Sequence, residues 1–209
     1  MLAEPASETV DFERGMVYWP PATLAIIVTL VAVFALEIRA GSIYSQADIV
    51  DAGALVRSRV LEGESWRLFS ATLLHGSFNH LFGNCVALYI LGMATEHALG
   101  AWRVLLLYVG SGLAGSLASM LAGPGPSVGA SGAICGLMGG VILILFRYRR
   151  AYHVRDKEIA LVLGGWALYT IGIGAVSPMI DNWAHLGGLL GGAALAMGIR
   201  PKVAQGRAG

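Results

Sequence analysis

The stretch Gly129-Ala130-Ser131-Gly132-Ala133 opens an apolar run that ends at Arg147. A serine among small residues at the mouth of a hydrophobic segment is commonplace. Two further stretches change its meaning. Asp181-Asn182-Trp183-Ala184-His185-Leu186-Gly187-Gly188 opens the last apolar run, and His80-Leu81-Phe82-Gly83-Asn84 lies in an earlier one. A serine, a histidine and an amide on three apolar segments supply a nucleophile, a base and a hydrogen-bond donor.

The surrounding composition sets the medium. Of 209 residues, 56% are hydrophobic and 13% charged, with mean hydropathy +0.68. A soluble domain of this size is far more polar, so the composition predicts a polytopic membrane protein. The net charge of +1 gives no sign of a nucleic-acid partner. The 29 glycines point to closely packed membrane helices. Cys85 and Cys135 both fall inside apolar runs and read as buried free thiols.

Six runs approach the ~20 residues that cross a bilayer: Ala22–Ile38, about Ala71–Thr95, Val104–Leu121, Ser131–Phe146, Ile159–Val176 and Trp183–Ile199. Long, non-alternating runs predict helices and not barrel strands. The expected class is therefore all-α, with six transmembrane helices over residues 21–200. Residues 1–20, with Glu4, Glu8, Asp11 and Glu13, read as a short cytoplasmic tail and not a signal peptide. Residues 201–209 read as a second cytoplasmic tail. With six spans, Arg14, Arg103, Arg147, Arg149, Arg150, Arg155, Lys157, Arg200, Lys202 and Arg207 share one side, against Arg39, Arg57, Arg59 and Arg67 on the other. The excess of basic residues places both termini in the cytoplasm. The loop from Gly41 to Ser70, with Trp66-Arg67, is expected to be ordered and to rest at the interface.

Counting back from the first cytoplasmic charge sets the depth of each polar residue. Ser131 precedes Arg147 by sixteen residues, His185 precedes Arg200 by fifteen, and His80 precedes Glu96 by sixteen. At ~1.5 Å per residue these are about 22–24 Å, which puts all three near the outer surface of a ~30 Å hydrocarbon core. Asn84 lies one turn below His80 on the same face. His185 is the natural base for the Ser131 hydroxyl. The Ser131 backbone N–H, the Asn84 amide and the His80 ring are candidate oxyanion donors. Asp181 precedes His185 by one turn and reads as a helix cap, leaving a dyad. His75, near the outer end of its run, reads as structural. No His-Glu-x-x-His zinc motif is present, and no cofactor is implied.

These residues resemble the rhomboid family of intramembrane serine proteases. Glu64-Ser65-Trp66-Arg67 is similar to the family's first-loop Trp-Arg motif. His80-x-x-x-Asn84, Glu96-x-x-x-Gly100, Gly129-Ala130-Ser131-Gly132 and Ala184-His185-Leu186-Gly187-Gly188 follow in the family's order. The resemblance covers roughly residues 60–192. It implies a serine endopeptidase of a bacterial inner membrane, cutting transmembrane protein substrates near the outer face. Ser131 and His185 would form the dyad, and His80 and Asn84 would assist the oxyanion. One position departs: Cys135 stands where some relatives carry an aromatic residue that packs on the histidine. Two rival readings are a non-catalytic rhomboid-like protein that binds membrane clients, and a small transporter moving protons through His80 and His185.

Overall fold

In a computed structural model, residues 12, 14–123, 125–151, 161, 163–168, 170, 172 and 180–202 are described. Among them the secondary structure is helical, and no strand is formed. Five long helices carry the fold: α1 (Pro21–Ala40), α5 (Phe78–Leu99), α6 (Ala101–Ala122), α7 (Ser131–Arg147) and α8 (Asn182–Met197). Three short helices, α2 (Gln46–Asp51), α3 (Arg57–Leu61) and α4 (Arg67–Ser70), lie in the first loop. By length and composition α1 and α6 are able to cross a membrane, and α7 is a shorter apolar helix. The five long helices coincide with five of the six apolar runs. Half of the sixth, Ile159–Val176, and parts of both tails lie outside the described residues.

Helix α1 starts where proline is tolerated, with Pro21 at its first position. Its orphan N–H groups at Ala22 and Thr23 donate to the Glu96 carboxylate of α5, at 3.0 and 2.9 Å. The Thr23 hydroxyl donates to the same carboxylate at 2.9 Å. A negative charge at a helix N-terminus is favourable, and here it also ties two helices together. The far end of α1 closes on Gly41, at φ 78°. There Gly41 N–H donates to Ile38 and Ser42 N–H to Glu37, the bonding of a Schellman motif.

Helix α7 is central. Twelve of its seventeen residues are buried, and it packs against α5, α6 and α8. Large apolar side chains such as Val28, Leu36, Leu105 and Leu190 are exposed on the outside of the bundle. In lipid that is the expected arrangement, since the outer face meets hydrocarbon.

The second run begins later than its hydropathy suggests. Ser77 accepts a hydrogen bond from His80 N–H at 3.2 Å and caps α5, so residues 71–77 form a turn before the helix. His75 sits in that turn with its ring fully buried. The first loop is ordered by Arg67, which is 4% exposed. Its guanidinium donates to Glu64 Oε2 at 2.5 Å and to the Val50 and Ala54 carbonyls at 2.5 and 3.0 Å. Leu55 and Ser127 exchange backbone hydrogen bonds at 2.9 and 3.0 Å, pinning this loop to the segment that leads into α7.

Candidate active site

Ser131 is the first residue of α7. Its helix has no side-chain cap, which leaves backbone N–H groups free at that end. The chain enters through Gly129, at φ 125°, with Gly129 N–H donating to the Ala71 carbonyl at 2.8 Å. A side chain at 129 would be strained by that φ, and its Cβ would come within 2.7 Å of the His80 ring.

His185 lies one turn inside α8. Asp181 caps that helix, accepting from Ala184 N–H at 3.0 Å through Oδ1, while Oδ2 accepts from the Ser119 hydroxyl of α6. The Asp181 carboxylate is thus engaged on the backbone and on α6. His185 Nδ1 is buried and has no hydrogen-bond partner among the described residues. His185 Nε2 lies 2.9 Å from Ser131 Oγ. The structure brings Ser131 and His185 together and leaves Asp181 as the cap of α8.

The approach of these two side chains depends on the backbones behind them. A Cβ at Gly132 would stand 3.1 Å from the Ala184 carbonyl, and one at Gly136 3.1 Å from the Gly188 carbonyl. One at Gly192 would overlap the Gly136 carbonyl. Glycine at these positions permits near-contact of α7 and α8.

His80 and Asn84 face the same cavity, of about 720 Å³, as Ser131 and His185. It extends past Cys135 to Met138, about 10 Å along α7 at ~1.5 Å per residue. Among the described residues no cluster of three or more His, Cys, Asp or Glu side chains is arranged to hold a metal.

Two residues outside the sequence-derived set join the site. Asn84 Nδ2 is 2.9 Å from His75 Nε2. His75 N–H in turn donates to both oxygens of Glu37, a buried carboxylate of α1, at 3.0 and 3.1 Å. An acidic residue inside the first apolar run was the available signal, since such groups are rare in membrane spans.

A helical protein with apolar outer faces and a serine–histidine pair lining an internal cavity is the class these features define. Comparison with known proteins makes it specific. A model of the Rhomboid domain matches residues 62–202. Rhomboid protease GluP of Bacillus subtilis (strain 168) is 36% identical over 197 residues, 92% of this chain and 37% of that protein. Putative rhomboid protease YdcA of the same organism is 32% identical over 187 residues, 88% of this chain and 90% of that protein. RHOMBOID-like protein 5 of Arabidopsis thaliana is 42% identical over 143 residues, 67% of this chain and 46% of that protein. The chain belongs to the rhomboid family and is an integral membrane protein. It spans less than half the length of GluP and of RHOMBOID-like protein 5, and nine-tenths of YdcA.

Proposed function

We propose that this chain is an intramembrane serine endopeptidase working through a Ser131–His185 dyad. The observation that carries the reading is the 2.9 Å separation of Ser131 Oγ and His185 Nε2. In this mechanism Nε2 takes the hydroxyl proton as Oγ attacks the scissile carbonyl. The resulting oxyanion is met by Ser131 N–H, the Asn84 amide and the His80 ring. His185 then gives its proton to the leaving amine, and water entering the cavity cleaves the acyl-enzyme by the same route. The family and the depth of the site favour transmembrane protein substrates, cut near the outer face. We further propose six spans in a bacterial inner membrane with both termini cytoplasmic, on the strength of the basic-residue distribution.

The test is labelling of purified protein by a fluorophosphonate, together with cleavage of a model transmembrane substrate. Wild type should react, and Ser131→Ala and His185→Ala should not, with the thermal transition retained. Substrate turnover by Ser131→Ala would end the dyad assignment. A client-binding protein would bind the substrate without labelling. A proton carrier would keep working without the serine.

A further inference from the structure

We propose that His75 is a positioning residue that fixes which end of the Asn84 amide faces the cavity. This rests on the oxyanion role proposed above for Asn84. Donors and acceptors around the ring decide the orientation. His75 Nδ1 lies 3.1 Å from the Leu73 carbonyl, which only accepts, so Nδ1 carries the proton. Complete burial of the ring favours the neutral imidazole. Nε2 is then a bare acceptor, and it lies 2.9 Å from the Asn84 side chain. Only the amide NH2 satisfies that acceptor; the amide oxygen would meet it lone pair to lone pair. The contact therefore holds Nδ2 toward His75 and toward Gly129, whose hypothetical Cβ would lie 3.5 Å from it. One N–H is used on the ring. The second stays with the same nitrogen, on the side of the loop that leads into Ser131.

The orientation matters because the two ends of an amide have opposite effects on an oxyanion. With the NH2 held, Asn84 presents a donor. Turned over, it presents an oxygen that repels the developing charge. The amide cannot sense this by itself, since its two ends are nearly isosteric. The direction is set by the Leu73 carbonyl and relayed through His75. Glu37 completes the support, because its carboxylate holds the His75 backbone N–H from α1. The His80 ring, 5.1 Å from the His75 ring centre to centre, packs edge-on and closes the other side.

Asparagine and glutamine separate the two ring nitrogens. His75→Asn reproduces the donor to Leu73 and removes the acceptor for Asn84. His75→Gln reaches far enough to reproduce the acceptor. Both are measured against Asn84→Ala and the His75→Asn/Asn84→Ala double variant, with kcat and KM for a model transmembrane substrate and thermal melting in detergent. We expect His75→Asn to lower kcat roughly 10-fold or more with KM nearly unchanged, as for loss of one oxyanion donor. The double variant should be no slower than Asn84→Ala alone, and His75→Gln should recover to within about threefold of wild type. Additive losses, or a folded His75→Asn at wild-type kcat while Asn84→Ala is slow, overturn the assignment of His75 alone. Asn84→Ala at wild-type kcat removes the oxyanion reading itself. If His75→Asn does not fold, His75→Gln decides by its kcat. Failure of both to fold overturns the proposal in favour of a purely architectural ring.

Discussion

Gly188 of α8 lies so close to the Gly132 carbonyl of α7 that a Cβ at 188 would overlap that oxygen. The contact is between backbones, so no side-chain rotation relieves it. Gly136 is confined as tightly, with Ser111 of α6 on one side and the Gly188 carbonyl on the other. Gly136→Leu should wedge α7 away from α6 and α8. A misplacement of ~1 Å costs about 100-fold in rate. Cleavage and fluorophosphonate labelling should both fall to near background, with a lowered melting temperature. Leu189→Ala, which removes a partly buried side chain, should be much milder. Wild-type labelling by Gly136→Leu would show that this contact does not set the Ser131–His185 distance.

Glu96 satisfies three donors on α1 from a site 6% exposed. Glu96→Ala leaves two backbone N–H groups and a hydroxyl buried without partners. At ~1–3 kcal/mol each, the loss should exceed that of an ordinary surface change several-fold. The melting temperature in detergent should drop sharply, and Glu96→Gln, which keeps an acceptor, should lose less. Equal melting of the alanine variant and wild type would mean α1 is held by packing alone.

Arg67 reaches Glu64 and two carbonyls at once through a planar fork of donors. Lysine is a point charge and cannot serve all three. Arg67→Lys should loosen the first loop, seen as faster proteolysis between residues 41 and 70, and should reduce turnover with it. A protease-resistant Arg67→Lys protein would assign the order of the loop to its other contacts.

Asp181→Asn keeps a cap for α8 and loses the charge, whereas Asp181→Ala loses the cap, worth about 1 kcal/mol. If Asp181 acts only as a cap, the asparagine variant should retain turnover within a few-fold. A loss of kcat near 10⁴-fold, as when a triad aspartate becomes asparagine, would add Asp181 to the catalytic set.

The proposed topology puts Ser58 and Gly125 outside and Arg150 inside. Single cysteines at these positions, in a background lacking Cys85 and Cys135, should follow that pattern with an impermeant maleimide on intact cells. Labelling of Arg150→Cys from outside would invert the orientation.

Much of the site was legible because it follows helix arithmetic. Counting back from the first charge at the far end of each apolar run sets Ser131, His185 and His80 at one level, and the four-residue spacing of His80 and Asn84 sets them on one face. Asp181 reads as a cap because aspartate before a helix usually is one, and its Oδ1 does accept from Ala184 N–H. The start of α5 was not legible, since residues 71–76 are apolar enough to extend the hydropathy run. Only the Ser77 cap marks the true beginning. Glu37 stands out as an acidic residue in an apolar run, but its partner does not: the link joins residues 38 apart through the His75 backbone N–H, which every residue but proline has. The spacing of His80 and Asn84 likewise says nothing about which way the amide faces.

Ser131 and His185 are 54 residues apart in sequence, and the last long helix among the described residues supplies the histidine. During synthesis the serine therefore enters the membrane well before its partner. In the proposed dyad, the hydroxyl lacks its base until α8 inserts. If the proposed dyad holds, the order of the chain acts as a biosynthetic safety catch: a molecule that stops before residue 180 carries the serine without the histidine proposed to arm it. Stalled chains of that length should fail to label with a fluorophosphonate, and co-expression of the missing helix should be needed before any labelling appears.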